Sequence, residues 1–545
     1  MNSLNRFSAY QRAIAKGHLC SCGADYEKLD RPIIAVVNSW NELTAGHAHL
    51  RELAEETKRG ILAAGGYPLE FNTIAICDGI TQSHEGMRYV LASREWIADS
   101  IELMVAGHGI FDGMVLLGSC DKIVPAMLMA AARLNLPAVV VTGGTMVNRI
   151  PPSESRKARQ QFMQGSIDEK ALVDITLEYY PTPGICPFLG TANTMCVLAE
   201  ALGMSLPGGG TIPAAAPERA RLAYESGRAV MDLIARGPRP RDIMTRAAFA
   251  NAVTVTAAIG GSLNSVLHLP AIAAECGLEV TLADFDRISQ TTPLLVRVYP
   301  NSDEFTVADL DRVGGLPAVA RELGPLLDTS VLTVSGQTLA ANITGAPAAD
   351  GDVLRPRRHP FSPEGGIAVL YGNLAPGGAV VKSSAVPTNM QFFAGPARVF
   401  EAEEDCMAAL QAGEIAEGAV VVVRGEGPIG GPGMREMHRA TEVLVKLGRA
   451  AIVTDGRFSG ASAGLAVGYL SPEAADGGPI ALVQTGDIIE INIPARTINC
   501  LLSEEEWARR RAEYKPGSRH TASNLLRLYA ATTDSTASGA VRRKF

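Results

Sequence analysis

The chain lacks the marks of two large classes of protein. It has no apolar run that approaches the roughly 20 residues needed to span a membrane. It also has no long block of lysines and arginines, and its formal net charge is −8. Because surfaces that bind nucleic acid are basic, we expect neither a nucleic acid nor a membrane as a partner.

Regularly spaced cysteines are also missing. Nine cysteines are scattered over 545 residues, a pattern unlike the disulfide framework of a small secreted protein. A reducing cytoplasm is therefore the natural location. Cys20 and Cys22 are close together, but two thiols do not complete a metal site, and we interpret them as free.

What is present is an ordinary globular composition, with 47% hydrophobic and 19% charged residues. An alternation of strand and helix patterns persists to residue 335, and a stretch rich in glycine, proline and alanine follows at 342–352. We predict an α/β protein with an N-terminal, largely parallel α/β domain (1–350) and a β-rich C-terminal domain (351–545). The predicted C-terminal strands are the apolar runs at 367–372, 378–382, 419–424, 450–455 and 487–493.

Three reactive side chains stand together where a predicted strand becomes a predicted helix. Residues 113–118 form an apolar run, Cys120, Asp121 and Lys122 come soon after it, and a helical pattern begins at Ile123. Open α/β sheets carry out their chemistry at the carboxyl ends of strands, and the positive end of the following helix favours thiolate over thiol. A buried cysteine beside a surface Asp-Lys pair is the alternative interpretation.

The two preceding predicted strands end in the same way. Residues 32–37 run into Asn38, and residues 71–76 run through one cysteine into Asp78. Because helix-length segments separate these strands, they predict a largely parallel sheet in which Asn38, Asp78 and Asp121 reach one edge. Two carboxylates and a lysine at one edge are costly unless a hard cation or a substrate compensates them.

A glycine-punctuated loop carries a second thiol. Cys186 precedes the run Thr-Ala-Asn-Thr-Met at 191–195, which opens a helical pattern. Together with Cys-Asp-Lys-x-x-Pro at 120–125, these residues resemble the dihydroxy-acid and sugar-acid dehydratase family, iron–sulfur enzymes that remove water from 2,3-dihydroxy acids. The glycine that usually follows this proline is Ala126 here.

The resemblance covers nearly the whole chain. It implies that the C-terminal domain is barrel-like and closes over the first, with the site between them. It also implies that the N-terminal stretch is a helix of the fold rather than a transit peptide, as in a cytoplasmic enzyme, and we expect a homodimer or a dimer of dimers. The later motifs typical of the family are Gly-Gly-Ser-Leu-Asn-Ser at 260–265, Gly-Gly-Pro-Gly-Met-Arg-Glu-Met at 430–437, Asp-Gly-Arg-Phe-Ser-Gly at 455–460 and Ser-Pro-Glu-Ala at 471–474.

The reaction needs an electrophile at each end of the substrate, because a weakly acidic proton leaves C2 while hydroxide leaves C3. The resemblance implies Mg²⁺ held by Asp78, Asp121, Lys122 and Glu436. In the family this lysine is carbamylated, which turns it into a carboxylate-like ligand. The alternative is a lysine that merely pairs with Asp78 or Asp121.

The resemblance assigns iron–sulfur cluster ligation to Cys120 and Cys186. Gly46 stands where many relatives have a third cysteine, and two cysteines do not decide between a [4Fe–4S] and a [2Fe–2S] cluster. Relatives with Gly-His at this point are thought to hold an oxygen-labile [4Fe–4S] cluster, and we expect this chain to follow them. Cys77 is a candidate substitute thiol, or else a buried cysteine at a strand end.

The resemblance assigns the catalytic base to Ser459. A serine hydroxyl is a poor base until a nearby cation stabilises its alkoxide, so this role depends on the metal and on Arg457 or nearby backbone donors. A serine that caps a helix in a turn is the alternative.

The substrate and two other functions remain open at this stage. The runs at 38–42, 83–102 and 375–382 look like the branched-chain dihydroxy-acid dehydratases, whereas the run at 186–190 and Tyr469 depart from the usual residues, which leaves a sugar acid as the alternative. The pattern G-x-G-x-x-G at 425–430 follows a strand, but a proline within it argues against a nucleotide. Loss of the cluster would leave a binding or scaffold protein, although the otherwise intact site argues against it.

Overall fold

A four-stranded parallel sheet lies in the first part of the chain. We describe a computed structural model of residues 2–82, 84–437, 439–458, 464–515 and 523–543. Its strand order is β2-β1-β3-β4, and all three interfaces are parallel. The strands are β1 (Ile33–Asn38), β2 (Tyr67–Asn72), β3 (Gly113–Gly118) and β4 (Ala138–Thr142).

Helices cover this sheet. Three of its four strands, β1, β3 and β4, are buried along their whole length, as expected of parallel strands with helices on both faces. The helices up to the sequence-predicted boundary are α1 (Ala9–Ser21), α2 (Leu50–Ala63), α3 (Asp78–Thr81), α4 (Arg88–His108), α5 (Ile123–Leu134), α6 (Pro152–Met163), α7 (Glu169–Tyr179), α8 (Thr191–Ala201), α9 (Pro217–Arg236), α10 (Pro240–Ile243), α11 (Arg246–Ile259), α12 (Ser265–Glu275), α13 (Leu282–Thr291), α14 (Val307–Arg312), α15 (Gly315–Leu323) and α16 (Leu339–Asn342). Among the described residues, no helix has both the length and the apolar character that crossing a membrane requires.

The structure corrects two details of the expected sheet. The strand predicted at 71–76 ends at Asn72, and the apolar residues beyond it leave the sheet, with Ile74 54% exposed. β2 is the edge strand and only half-buried. An edge strand does not require a continuous apolar run, so the run at 71–76 did not mark its position. The β-α alternation also stops early: after β4, the region up to 342 is helical, because buried helices such as α11 and α12 show the same short apolar runs as strands.

An eight-stranded mixed sheet forms a nearly closed barrel in the C-terminal region. Its order is β14-β13-β7-β8-β10-β12-β6-β5, and a bridge between Tyr371 and Thr497 links its two ends. The strands are β5 (Ala368–Leu370), β6 (Gly378–Val381), β7 (Phe392–Phe400), β8 (Val420–Val423), β10 (Ala451–Thr454), β12 (Ala466–Ser471), β13 (Ile488–Asn492) and β14 (Thr497–Cys500), with β9 (Glu436–Met437) and β11 (Arg457–Phe458) paired separately. The helices are α17 (Glu403–Gln411), α18 (Glu442–Leu447), α19 (Glu504–Glu513) and α20 (Asn524–Thr532).

The expected fold class is therefore confirmed, with a parallel α/β region followed by a β-rich, barrel-like one. The two regions share a core. Val380 and Tyr469 of the barrel pack in the same buried cluster as the strands of the first sheet. Val381, the next residue along β6, faces the separate cluster inside the barrel. Alternate residues of β6 thus point to the barrel interior and to the junction with the first region.

Candidate active site

Three carboxylates from distant parts of the chain meet at the junction of the two regions. Asp78 opens α3 beyond the end of β2, Asp121 lies between β3 and α5, and Glu436 begins β9. One oxygen of each lies within 4.8 Å of the others. Oδ1 of Asp78 has no hydrogen-bond partner among the described residues, although it is buried. Three converging carboxylates with a free acceptor oxygen suit a hard divalent cation.

Lys122 lies against two of these carboxylates. Its Nζ is 2.5 Å from Oδ2 of Asp121 and 3.4 Å from Oδ2 of Asp78, and the residue is 1% exposed. The lysine thus pairs with both aspartates. The contact places its nitrogen beside the aspartate carboxylates, where a carbamate on that nitrogen would add a further oxygen.

Burial shapes the charges of the site. It raises the pKa of Asp78 well above its ordinary value, although the Lys122 ammonium opposes this shift. Burial also acts on Asp121, but there the Lys122 ammonium prevails and the pKa of Asp121 lies below its ordinary value. The two carboxylates therefore differ in basicity, as expected when two acids share one small space. A divalent cation would favour ionisation of both.

Glu436 is held by a frame of buried polar side chains. Its Oε1 accepts hydrogen bonds from Nδ2 of Asn264 at 2.7 Å and from Nη1 of Arg457 at 3.2 Å. Oδ1 of Asn264 in turn accepts from the phenol of Tyr469 at 2.7 Å, and Nδ2 also donates to Oγ1 of Thr191 at 2.8 Å. All four supporting residues are buried. Such a frame fixes the direction of the carboxylate before any ligand arrives.

Cys120 sits in a strained turn between β3 and α5. Its φ is +65°, a left-handed conformation that residues with a side chain rarely adopt. A side chain at Gly46 would place its Cβ 2.8 Å from Sγ of Cys120. A side chain at position 46 would therefore lie against the sulfur of Cys120.

The loop that carries Cys186 is anchored from both sides. Nδ2 of Asn193, in the Thr-Ala-Asn-Thr-Met run, donates to the carbonyl oxygens of Cys186 and Phe188 at 2.7 and 2.8 Å. The backbone N–H of Gly184 donates to the carbonyl of Ala45 at 2.9 Å. These bonds tie the Cys186 loop to the segment that contacts Cys120.

The thiols of Cys77, Cys120 and Cys186 influence one another electrostatically. Burial raises the pKa of Cys186 to about 12, and the nearby Cys77 adds to this shift. Burial likewise raises the pKa of Cys120, with Cys186 as the next contribution. The expectation that the helix would favour a thiolate at Cys120 is therefore wrong for the free protein, because burial outweighs the helix dipole. Metal binding would displace these protons.

A buried histidine supports the turn that carries Cys120. Nε2 of His47 is 3.1 Å from the carbonyl oxygen of Ser119, and Nδ1 is 2.9 Å from that of Ser39. Burial lowers the pKa of His47 to about 4. A neutral ring carries one N–H, so His47 donates to only one of these two carbonyls while it lies between the ends of β1 and β3.

Four backbone N–H groups of the glycine loop at 425–430 are bound by carboxylates. The N–H groups of Gly425 and Glu426 donate to the carboxylate of Asp455, both at 3.0 Å. Those of Ile429 and Gly430 donate to Glu473. The pattern G-x-G-x-x-G is therefore a carboxylate-clamped turn that leads toward Glu436, not a nucleotide-binding loop.

Sequence reasoning placed the metal-ligand candidates together but missed part of their support. The sequence assigns no role to Asn264, although it lies in the motif at 260–265, and marks Tyr469 only as a departure from the usual residue. The sequence does contain a sign of the role of Asn264. A polar residue in a largely apolar run such as 260–269 needs a hydrogen-bond partner when it is buried. Ser459 lies outside the described residues, so the structure leaves its role as a prediction.

Comparisons with known proteins agree with this geometry. Family models described as dihydroxy-acid/6-phosphogluconate dehydratase match residues 31–342 with the N-terminal model and 352–540 with the C-terminal model. The dihydroxy-acid dehydratase of Halothermothrix orenii is 47% identical over 552 residues, which cover 99% of this chain and 100% of that protein. That of Nitratidesulfovibrio vulgaris is 47% identical over 556 residues, 100% of both chains. That of Ignicoccus hospitalis is 48% identical over 514 residues, 92% of this chain and 93% of the other.

These matches extend over both regions of the fold and confirm the resemblance seen in the sequence. The chain belongs to the dihydroxy-acid/6-phosphogluconate dehydratase family and is a dehydratase, an enzyme of the hydro-lyase class.

Proposed function

We propose that this enzyme converts a branched-chain 2,3-dihydroxy acid, such as 2,3-dihydroxy-3-methylbutanoate, into the corresponding 2-oxo acid. The convergence of Asp78, Asp121 and Glu436 beside the Cys120 turn carries the proposal. Relatives that match over their full length are named dihydroxy-acid dehydratases. The proposed place of this step is the biosynthesis of branched-chain amino acids.

We propose two cofactors, Mg²⁺ and an iron–sulfur cluster. Asp78, Asp121, Glu436 and a carbamylated Lys122 would hold the cation, in keeping with the free acceptor on Asp78 and the contact between Lys122 and Asp121. Cys120 and Cys186 would ligate the cluster. When bound, the cation would acidify the C2 proton and the cluster would supply an electrophile for the departing C3 hydroxyl.

Cys77 is the proposed third cluster ligand in place of the thiol missing at Gly46. Its electrostatic coupling to both Cys120 and Cys186 supports this role. Three cysteine ligands with one iron left open suit a [4Fe–4S] cluster in a dehydratase. Iron and sulfide analysis of the anaerobically purified protein tests the cluster type, since a [4Fe–4S] cluster holds twice the iron of a [2Fe–2S] cluster.

The chain's own residues would carry the proton and fix the geometry. We propose that Ser459, as its alkoxide, accepts the C2 proton, and that the electron pair of the C2–H bond forms the C2=C3 double bond as the C3–O bond breaks. The Ser459 hydroxyl then returns its proton to the departing hydroxide, which leaves as water. The resulting enol tautomerises to the 2-oxo acid. Arg457, two residues before Ser459, is a buried cation that would favour the anionic serine. Asn264 and Arg457 hold the Glu436 carboxylate in place throughout.

The two unusual residues of the sequence do not argue for a sugar acid. The phenol of Tyr469 is engaged with Asn264, and the residue is fully buried, so it supports the site rather than offering a hydrogen bond to a substrate hydroxyl. The ring of Phe188 packs edge-on against Tyr299, with centroids 6.1 Å apart. Both residues are thus engaged with other side chains of the protein and offer no new group to a sugar hydroxyl, which favours the branched-chain substrate.

An anaerobic panel of acids tests the proposal. The purified enzyme with Mg²⁺ is offered 2,3-dihydroxy-3-methylbutanoate, gluconate and 6-phosphogluconate at equal concentration, and the 2-oxo acid is detected as its hydrazone. We expect kcat/KM for the branched-chain acid to exceed those for the sugar acids at least 100-fold. The reverse order would make the enzyme a sugar-acid dehydratase, and inactivity of a cluster-free protein toward all three would favour the binding or scaffold alternative.

The remaining proposals concern organisation and location. We propose that residues 1–350 and 351–545 are the two domains, in keeping with separate sheets in each. We further propose a homodimer or a dimer of dimers in the cytoplasm, where cluster-binding thiols stay reduced. Light scattering of the 57.4 kDa chain under anaerobic conditions distinguishes these assemblies.

A further inference from the structure

His268 is a buried histidine with one ring nitrogen that has no partner. It lies in α12 and is fully buried. Its Nδ1 is 3.4 Å from Nη1 of Arg94, a residue of α4, whereas Nε2 makes no hydrogen bond with any residue that the structure describes. Since nearly all buried polar atoms of folded proteins are hydrogen-bonded, this nitrogen indicates that a further group belongs beside the ring.

The contact with Arg94 fixes which nitrogen of His268 carries the proton. A guanidinium donates hydrogen bonds and cannot accept them, so the lone pair of Nδ1 accepts from Nη1 of Arg94. Burial lowers the pKa of His268 well below its ordinary value, so the ring is neutral. A neutral ring with a lone pair on Nδ1 has its proton on Nε2. The atom without a partner is therefore an N–H donor.

The ring lies on the side of α12 that carries the support of Glu436. The backbone N–H of His268 donates to the carbonyl of Asn264 at 3.1 Å, and residues four apart share one face of a helix. Asn264 is the residue that binds Glu436. In addition, α12 packs against α5, which begins directly after Lys122. The fold thus brings His268 to the side of the carboxylate cluster where Lys122 stands.

Lys122 is the charge that acts most strongly on this ring. Its ammonium lowers the pKa of His268 more than the guanidinium of Arg94 does, although Arg94 contacts the ring. Because the interaction between charges weakens with distance, Nζ of Lys122 lies close to the imidazole. An ammonium has no lone pair and cannot accept a hydrogen bond. The ring N–H thus lies near a group that offers it no acceptor.

We infer that His268 is a positioning residue for a carbamate on Lys122, to which its Nε2–H donates a hydrogen bond; the inference rests on the proposed function. A carbamate replaces the ammonium by an anion with two oxygens. One oxygen is available for the cation, and the other accepts a charge-assisted hydrogen bond from His268. The same N–H that has no partner beside the free lysine therefore stabilises and orients the modified one.

Carbon dioxide is the co-reactant of this modification. The ammonium of Lys122 gives one proton to solvent, and the lone pair of Nζ then forms an N–C bond to CO₂ while the electron pair of one C=O bond moves to its oxygen. Nζ gives a second proton to solvent, which leaves the anionic carbamate. His268 takes up no proton in this sequence, because its role is to hold the product.

Infrared difference spectroscopy tests the contact. The anaerobic, Mg²⁺-loaded holoenzyme is equilibrated with ordinary or ¹³C-labelled CO₂, so that only vibrations of the added carbon differ between the two spectra. Bands that are missing in Lys122→Met belong to this lysine, and titration with CO₂ gives its dissociation constant. We expect this constant to rise at least tenfold in His268→Phe, which keeps a ring of similar size but has no donor for the anion.

Two further variants make the result specific. His268→Gln retains an acceptor for Arg94 and an N–H donor of similar reach, and we expect its dissociation constant for CO₂ to stay within about threefold of the wild-type value. Leu269→Ala removes a fully buried side chain from the same helix. We expect this variant to be less stable but to bind CO₂ as the wild type does, because the hydrogen bond remains.

The other outcomes contradict the inference. A wild-type dissociation constant in His268→Phe would show that the histidine does not hold the carbamate. An equal loss of CO₂ affinity in Leu269→Ala would assign the effect to the packing of α12. If neither His268 variant folds, His268 is a structural residue and the inference is wrong. A wild-type enzyme without any CO₂-dependent band from Lys122 would overturn the carbamylated cation site of the proposed function as well, whereas the first three outcomes leave that site standing.

Discussion

The phenol of Tyr469 donates a 2.7 Å hydrogen bond to Oδ1 of Asn264, whose Nδ2 donates to Glu436. Tyr469 achieves this in a left-handed conformation, with φ of +61°, at the irregular register of β12. Such backbone strain persists where the surroundings fix it, often at functional sites. A barrel residue thus orients a metal-ligand candidate through a residue of the first region.

Tyr469→Phe should weaken the proposed cation site. Asn264 loses one of the two donors to its Oδ1, so it holds Glu436 less firmly. Loss of such support typically lowers metal affinity about 10–100-fold. Mn²⁺ titration followed by electron paramagnetic resonance measures the effect. Tyr529→Phe is the control, because Tyr529 is equally buried but its hydroxyl has no partner among the described residues. Equal Mn²⁺ affinity in Tyr469→Phe and wild type would show that the bond does not position Glu436.

Cys120→Ser and Cys186→Ser should each abolish the visible iron–sulfur absorbance together with the activity. A serine hydroxyl is a far poorer ligand for iron in a cluster than a thiolate. The visible absorbance of the cluster and the iron and sulfide content of each variant are measured anaerobically. Cys276→Ser and Cys406→Ser should retain the cluster, since these cysteines lie in other parts of the fold. Full cluster content in Cys186→Ser would remove that residue from the ligand set.

Ser459→Ala should lower turnover about 10²–10⁴-fold, the usual contribution of a positioned base. Cluster absorbance and Mn²⁺ affinity should stay at wild-type values, because only proton abstraction loses its acceptor. Steady-state rates with the dihydroxy acid are compared with those of Ser166→Ala, which removes an exposed serine that bonds only within its own turn. Near-normal turnover in Ser459→Ala would make this serine a turn-capping residue and assign the C2 proton to another group.

His47 should make the protein less stable in acid. Its pKa is about 4 in the folded protein, below the ordinary value of 6.5, so the unfolded chain binds more protons between these two values. Stability should therefore rise with pH through this window and be lost as pH falls, by about 3 kcal/mol in total. Denaturant unfolding of the holoenzyme from pH 4.5 to 7 should show a smaller slope for His47→Asn.

The exposed His108 provides the control for this window. His108→Asn should keep the wild-type dependence of stability on pH. If His47→Asn has the wild-type slope as well, the acid sensitivity arises from other groups.

Local sequence predicted several elements and missed others for identifiable reasons. The runs at 378–382, 419–424 and 450–455 became β6, β8 and β10, which are fully buried and therefore continuously apolar. β7 escaped prediction because its exposure alternates and it contains Gly395 and Pro396. β12 escaped because a glycine and a left-handed tyrosine interrupt it.

The sequence by itself determined the family and the identity of the reactive groups. Cys120, Asp121 and Lys122 are contiguous, and Asp78 follows its strand closely, so the parallel sheet implied that they would meet. Such local patterns can be recognised in the sequence because each depends on only a few neighbouring residues.

Only the tertiary structure decided how the second region completes the site. The pairing of β9 with β11 puts Glu436 opposite Arg457, and the packing of the barrel on the first region brings Asn264 to both. Packing also buries the side chains of Cys120 and Cys186, which raises the pKa of both thiols. These outcomes depend on which surfaces cover each other and exclude water, and contacts between residues so far apart in the chain leave no local pattern in the sequence.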